Sequence, residues 1–110
     1  MNDGEIDSEE SRRLAESGAR IYVFINSPSD LAVVEEALGG KAVSIDIGEA
    51  RGIMFGSQSF NPEAVKKKFR GSVIVCPHGN TSLMFVKALS AYGVTAYSLS
   101  GGIEGLKSRN

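Results

Sequence analysis

Short apolar, β-branched runs alternate along this chain with segments whose apolar residues recur every three or four positions. The first pattern predicts buried strands and the second predicts helices. Glu5-Ile6 fits a very short edge strand. Asp7 with Glu10 three positions on is a capping-box pattern, so a helix is expected from Ser8 to Ser17, ended by Gly18. Arg20 to Ile25 is the first strong buried strand, and Asn26-Ser27-Pro28-Ser29-Asp30 is a loop that opens a helix over Leu31 to Leu38. Gly39-Gly40 stops it. Lys41 to Ile47 alternates apolar with polar residues, as expected of a strand near the sheet edge.

Glycines at 48, 52 and 56 make residues 48–60 read as a structured loop with room for one helical turn. Asn61-Pro62-Glu63 opens a helix to about Phe69, and Ser72 to Val75 is the central strand. The next helix ends at Tyr92-Gly93. Val94 to Leu99 is the last strand, and Gly101-Gly102 turns into a short helix from Ile103 to Lys107. Strands and helices alternate throughout, which predicts an α/β domain with a mainly parallel sheet. Such sheets bind ligands at the C-terminal ends of their strands. There the order of elements gathers Asn26-Ser27, Asp46 to Arg51, the loop after Val75 and Ser100-Gly101-Gly102. The basic run Lys66-Lys67-Lys68 with Arg70 falls toward the other edge and reads as a solvated helix face.

Composition narrows the classes. Residues 1–110 suit a single domain with one core, and 42% hydrophobic with 23% charged residues is ordinary for a globular chain. A net charge of -1 offers nothing to nucleic acid or an anionic membrane. No apolar run is long enough to span a bilayer, and the acidic start Met1 to Glu5 is unlike a secretory signal. One cysteine and one histidine make neither a disulfide nor a transition-metal site, so the expectation is a cytoplasmic protein without metal; a monomer is the default for a compact single domain, and no cofactor is expected.

That cysteine stands where chemistry is expected. Cys76 ends the central strand, and Pro77-His78-Gly79-Asn80-Thr81-Ser82 leads into a helix carrying Leu83, Phe85, Val86 and Leu89. The first amides of a helix lack partners and carry partial positive charge, which stabilises an anion such as a thiolate. Gly79 permits the bend that turns amides inward, and Asn80, Thr81 or Ser82 is placed to cap the helix. Thr81 or Ser82 is also a candidate donor to the sulfur. His78 is expected to face solvent, because the amides rather than the side chains should face Cys76. Asp46 and Glu49 are expected on the surface, since a carboxylate beside the sulfur would oppose a thiolate.

Cys76-Pro77-His78-Gly79-Asn80-Thr81-Ser82 resembles the active-site loop of rhodanese domains, in particular the single-domain thiosulfate sulfurtransferases. Gly93 to Glu104, with Gly101-Gly102, resembles that family's last strand and turn. The resemblance covers about the final third of the chain. It implies a rhodanese-like three-layer domain whose sheet has about five strands flanked by helices. It also implies a sulfurtransferase in which Cys76 takes sulfane sulfur from thiosulfate or a persulfide donor as Cys76–S–SH. A nucleophilic acceptor, cyanide or a protein partner, would then remove it. Residues 77 to 82 would bind the persulfide. The chain departs from the family elsewhere. Phe24 and Asn26 stand where Asp and Arg are frequent, and Pro77 and Thr81 stand where loop arginines are frequent. Arg51 is the candidate substrate cation at that edge. Two other functions compete: a regulatory or protein-binding module without turnover, and a cysteine phosphatase or arsenate reductase. The second needs an arginine six residues after the cysteine, where this chain has Ser82.

Overall fold

The computed structural model describes residues 3–24, 27–56 and 61–108. Five strands form one sheet: β1 (Glu5–Ile6), β2 (Ile21–Val23), β3 (Ala42–Ser44), β4 (Val73–Val75) and β5 (Tyr97–Leu99). Their order is β1-β5-β4-β2-β3, and every pairing is parallel. Parallel neighbours need crossovers, and five helices supply them: α1 (Ser8–Glu16), α2 (Pro28–Leu38), α3 (Ile47–Phe55), α4 (Pro62–Phe69) and α5 (Asn80–Ala91); α6 (Gly102–Lys107) follows the last strand. β4 is the central strand and β3 an edge strand, as the sequence pattern predicts.

Strand period fixes which helices cover which face. Ile21, Val23, Val73, Val75 and Leu99 point to one side, where Val34 and Leu38 of α2 and Ile103 and Leu106 of α6 complete a core layer. Tyr22 and Ile74 point to the other, against Ile53 of α3, Phe69 of α4 and Phe85 and Leu89 of α5. A ladder of rings supports α5 on that face. Tyr22 packs on Phe69 at 4.9 Å between centroids, Phe69 on Phe85 at 5.1 Å, and Phe85 on Phe24 at 5.3 Å.

Several boundaries differ from the sequence expectation. The largest difference lies at residues 48–60, where the expected loop is a nine-residue helix over Ile47–Phe55. Asp46 caps it by accepting from Gly48 N–H, and Gly56 closes it in the left-handed region at φ 66°. Three glycines at four-residue spacing masked it: Gly52 is buried in the packed face, and Gly56 is a terminator. Residues 57–60 lie outside the described part, as do Ile25 and Asn26. Because Asp46 is a cap, the strand expected from Lys41 to Ile47 is only Ala42–Ser44. α2 starts at Pro28, not Leu31, since proline suits the first helical turn. The last strand is Tyr97–Leu99, shorter than the run from Val94. The basic helix is not wholly solvated either. Lys68 Nζ meets Glu49 Oε1 at 2.8 Å and lies over the Phe69 ring, 5.3 Å from its centroid, which engages Glu49 with α4.

α6 is tied to α2 by Lys107 Nζ and Asp30 Oδ1 at 2.9 Å. The hydrogen bond to Asp30, and then its charge, raise the Lys107 ammonium above its ordinary 10.5. A folded value above the unfolded one stabilises the fold below the unfolded value, and the effect fades as pH rises through the folded one. Asp30→Ala should therefore lower the urea midpoint at pH 8, with the gap to the parent narrowing as pH passes 10.5. A gap that stays constant through that range would show that the pair does not link α2 to α6.

Candidate active site

β4 ends at Val75, whose side chain faces α6, so the next residue faces α5. That residue is Cys76, 1% exposed. The backbone then turns through Gly79 at φ 92° and enters α5 at Asn80. The sulfur consequently lies in front of the helix. Gly79 N–H donates to Cys76 Sγ at 3.0 Å and Ser82 N–H at 3.3 Å. The thiol donates to Ser82 Oγ at 3.2 Å, and with the sulfur ionised the same contact runs from hydroxyl to sulfur. Ser82 Oγ lies 2.7 Å from Ser98 Oγ of β5, and both serines are fully buried.

The sulfur thus does what a capping side chain was expected to do. No side chain of Asn80, Thr81 or Ser82 caps α5. Ser82 supplies the third amide of the helix, the group an N-cap oxygen ordinarily accepts from, and Cys76 Sγ accepts it instead. Two backbone amides at the start of α5, those of Gly79 and Ser82, are directed at the sulfur.

The loop is shaped from behind by α6. Ile103 N–H donates to the Cys76 carbonyl at 3.0 Å and Glu104 N–H to the Pro77 carbonyl at 2.9 Å. These amides at the start of α6 satisfy the loop carbonyls and fix two peptide planes. The approach is close enough to exclude any side chain at Gly102. A Cβ there would meet the Cys76 carbonyl oxygen at 2.2 Å, and φ is +60°. Gly101-Gly102 is therefore a strand-to-helix turn, as expected, and also a surface against which the cysteine loop is moulded. The paired glycines in the sequence signalled the turn but not this contact.

The remaining candidates separate. His78 on the loop and Asn80 and Thr81 in the first turn of α5 are exposed, so Ser82 alone of the expected hydroxyl donors reaches the sulfur. Pro77 is half-buried. Arg51 stands exposed on α3, and no hydrogen bond or ion pair joins it to the loop. Ser98 is the site-forming residue that sequence reasoning passed over. Its signal was a lone serine between Tyr97 and Leu99 in a buried strand. A groove of about 400 Å³ between α1, α2 and α6, lined by Ser8, Arg12, Val33, Glu36 and Leu106, holds none of these residues. It lies on the opposite face of the sheet. No cluster of three or more metal-ligating side chains occurs among the described residues, and no helix among them is long and apolar enough to cross a membrane.

Gly102→Ala combines a clash with the loop backbone and a strained φ, so it should cost about 3 kcal/mol or more in a urea titration. A variant within about 0.5 kcal/mol of the parent would show that the contact yields without cost.

No protein-family model matches the sequence, and no curated protein matches it significantly. Among solved structures, the fold is similar to a rhodanese homolog from the extremely thermophilic bacterium Thermus thermophilus. The TM-score is 0.56 and the identity 22%, over 91% of this chain and 96% of that one. The parallel order β1-β5-β4-β2-β3, the helices on both faces and this superposition agree: the chain folds as a rhodanese-like domain.

Proposed function

We propose that this chain is a sulfurtransferase that carries sulfane sulfur on Cys76. The observation that carries the reading is the sulfur's own environment, with two backbone N–H groups donating to Cys76 Sγ and the Ser82 hydroxyl 3.2 Å from it in front of α5. A structural cysteine needs no such set of donors. A nucleophilic thiolate does, and so does the persulfide anion that follows it.

The chemistry balances without a cofactor. The Cys76 thiolate attacks the outer sulfur of thiosulfate, the S–S bond of the donor breaks, and sulfite leaves with the electron pair. Cys76–S–S⁻ remains. An acceptor such as cyanide then attacks the outer sulfur, the new S–S bond breaks, and thiocyanate departs as the thiolate returns. A small or protein-borne persulfide serves as donor in the same way, with a thiolate as leaving group. The remaining first-turn amides of α5, at Asn80 and Thr81, are available to the outer sulfur. Phosphate-ester chemistry is disfavoured, because residue 82 is a buried serine and not the bidentate cation such a transition state requires.

Thiosulfate is a dianion, and residues 77 to 82 contribute no arginine or lysine. Arg51 is proposed to supply that charge from α3. Intact mass after thiosulfate should rise by one sulfur, about 32 Da, and return to the starting value with cyanide. Cys76→Ser should not load, and Arg51→Ala should load from thiosulfate more slowly but from an alkyl persulfide at an unchanged rate. Failure of both donors to load the parent protein would remove the sulfurtransferase reading, and equal thiosulfate rates in parent and Arg51→Ala would remove Arg51 from it.

A further inference from the structure

The structure assigns Ser98 as a positioning residue that acts on Cys76 through the hydroxyl of Ser82. This inference rests on the proposed role of Cys76 as the reacting sulfur and adds a residue from a different strand to it. Three polar atoms lie in a row inside the protein: Cys76 Sγ, Ser82 Oγ at 3.2 Å, and Ser98 Oγ a further 2.7 Å on. Ser82 and Ser98 are fully buried, so water does not compete for either hydroxyl. Every buried side-chain oxygen or nitrogen among the described residues has a partner, and that of Ser98 Oγ is Ser82 Oγ.

The position of Ser98 follows from the sheet. It pairs in register with Ile74 of β4, two residues before Cys76, and its neighbour Leu99 belongs to the opposite core layer. Its side chain therefore faces α5, on the side of the sheet where Cys76 and Ser82 meet. An alanine or valine would fill this site more simply, since an interior strand position without a polar role favours an apolar side chain.

The row has two consistent proton arrangements. With a neutral thiol, Cys76 S–H donates to Ser82, and the Ser82 hydroxyl donates to Ser98. With a thiolate, Ser98 donates to Ser82 and Ser82 donates to sulfur. Both hydroxyls rotate when the sulfur ionises, and the contacts from sulfur to Ser82 Oγ and from Ser82 Oγ to Ser98 Oγ are kept in either state. In the ionised arrangement each bond polarises the next, so the Ser98 hydroxyl makes Ser82 a stronger donor to the anion. Without Ser98 the Ser82 hydroxyl still reaches the sulfur, but its own oxygen lacks the donor behind it. The ionisable side chains on the segments around this row are His78 in the loop, Glu104 and Lys107 on α6, Lys87 on α5, Tyr97 on β5, Glu5 on β1, which pairs with Ser98, and Glu49 and Arg51 on α3, which packs against α5. The variants below leave all of them in place.

The test is the pH profile of Cys76 alkylation by iodoacetamide, with far-UV circular dichroism and urea midpoints recorded beside it. Ser98→Ala should displace the profile to higher pH, lowering the neutral-pH rate about 3-fold, as loss of a polarising neighbour predicts. Ser82→Ala should lower it about 10-fold, as loss of a hydrogen bond to a charged group predicts. The double variant should match Ser82→Ala alone, because Ser98 acts only through Ser82. Ser98→Thr, which keeps the hydroxyl on a strand that favours β-branched residues, should restore the parent profile. A Ser98→Ala profile that superimposes on the parent overturns the proposal, as does a double variant displaced by the product of the two single effects. A Ser98→Thr profile displaced like that of Ser98→Ala also overturns it. Sulfur loading is followed separately by mass. A parent that never loads, with the alkylation pattern as expected, would end the sulfurtransferase reading while leaving the role of Ser98 intact.

Discussion

Two backbone hydrogen bonds hold the centre of this molecule in shape: Ile103 N–H to the Cys76 carbonyl, and Glu104 N–H to the Pro77 carbonyl. A loop between a strand and a helix has many ways to turn. This one is confined because the start of α6 takes its carbonyls, and because Gly102 lets α6 approach without a side chain. With those planes fixed, the chain turns at Gly79 and enters α5 where its amides meet the sulfur. The helices on either face of the sheet then have separate tasks. α5 presents donors to Cys76 from one face, and α6 fixes the loop from the other.

On the proposed function, the donors are useful because they stand ready before any reaction. The ring ladder from Tyr22 through Phe69 and Phe85 to Phe24 anchors α5 in the core, and buried Ser98 anchors the side chain of Ser82. Neither support touches the sulfur. Each limits the freedom of a group that does, which is how a site keeps donors aligned where charge develops.

Much of this was legible in the sequence, for identifiable reasons. The alternation of apolar runs with helical periodicity marked an α/β parallel sheet, and the all-apolar Val73-Ile74-Val75 marked its centre. The resemblance of the final third to rhodanese domains agrees with the fold of the solved structure. What escaped depends on contacts between distant segments. α3 was hidden because its glycines read as loop, whereas one packs against neighbouring elements and another terminates the helix. The sulfur as a helix cap could not be read from Asn80, Thr81 and Ser82, which are all good capping residues; only the path of the loop shows that Cys76 arrives first. The contact of Gly102 with Cys76 joins residues far apart in the chain, and local pattern carries no record of it.

Because the sulfur caps α5, one side chain answers to two selective demands. The fold asks residue 76 only for a small acceptor that the amides of Gly79 and Ser82 can reach. The proposed chemistry asks that this acceptor also be a nucleophile. A serine there would satisfy the first demand and fail the second. On the proposed function, mutational tolerance at this position splits along the line between keeping a shape and performing that reaction, and an oxygen there would keep the cap more readily than a methyl group.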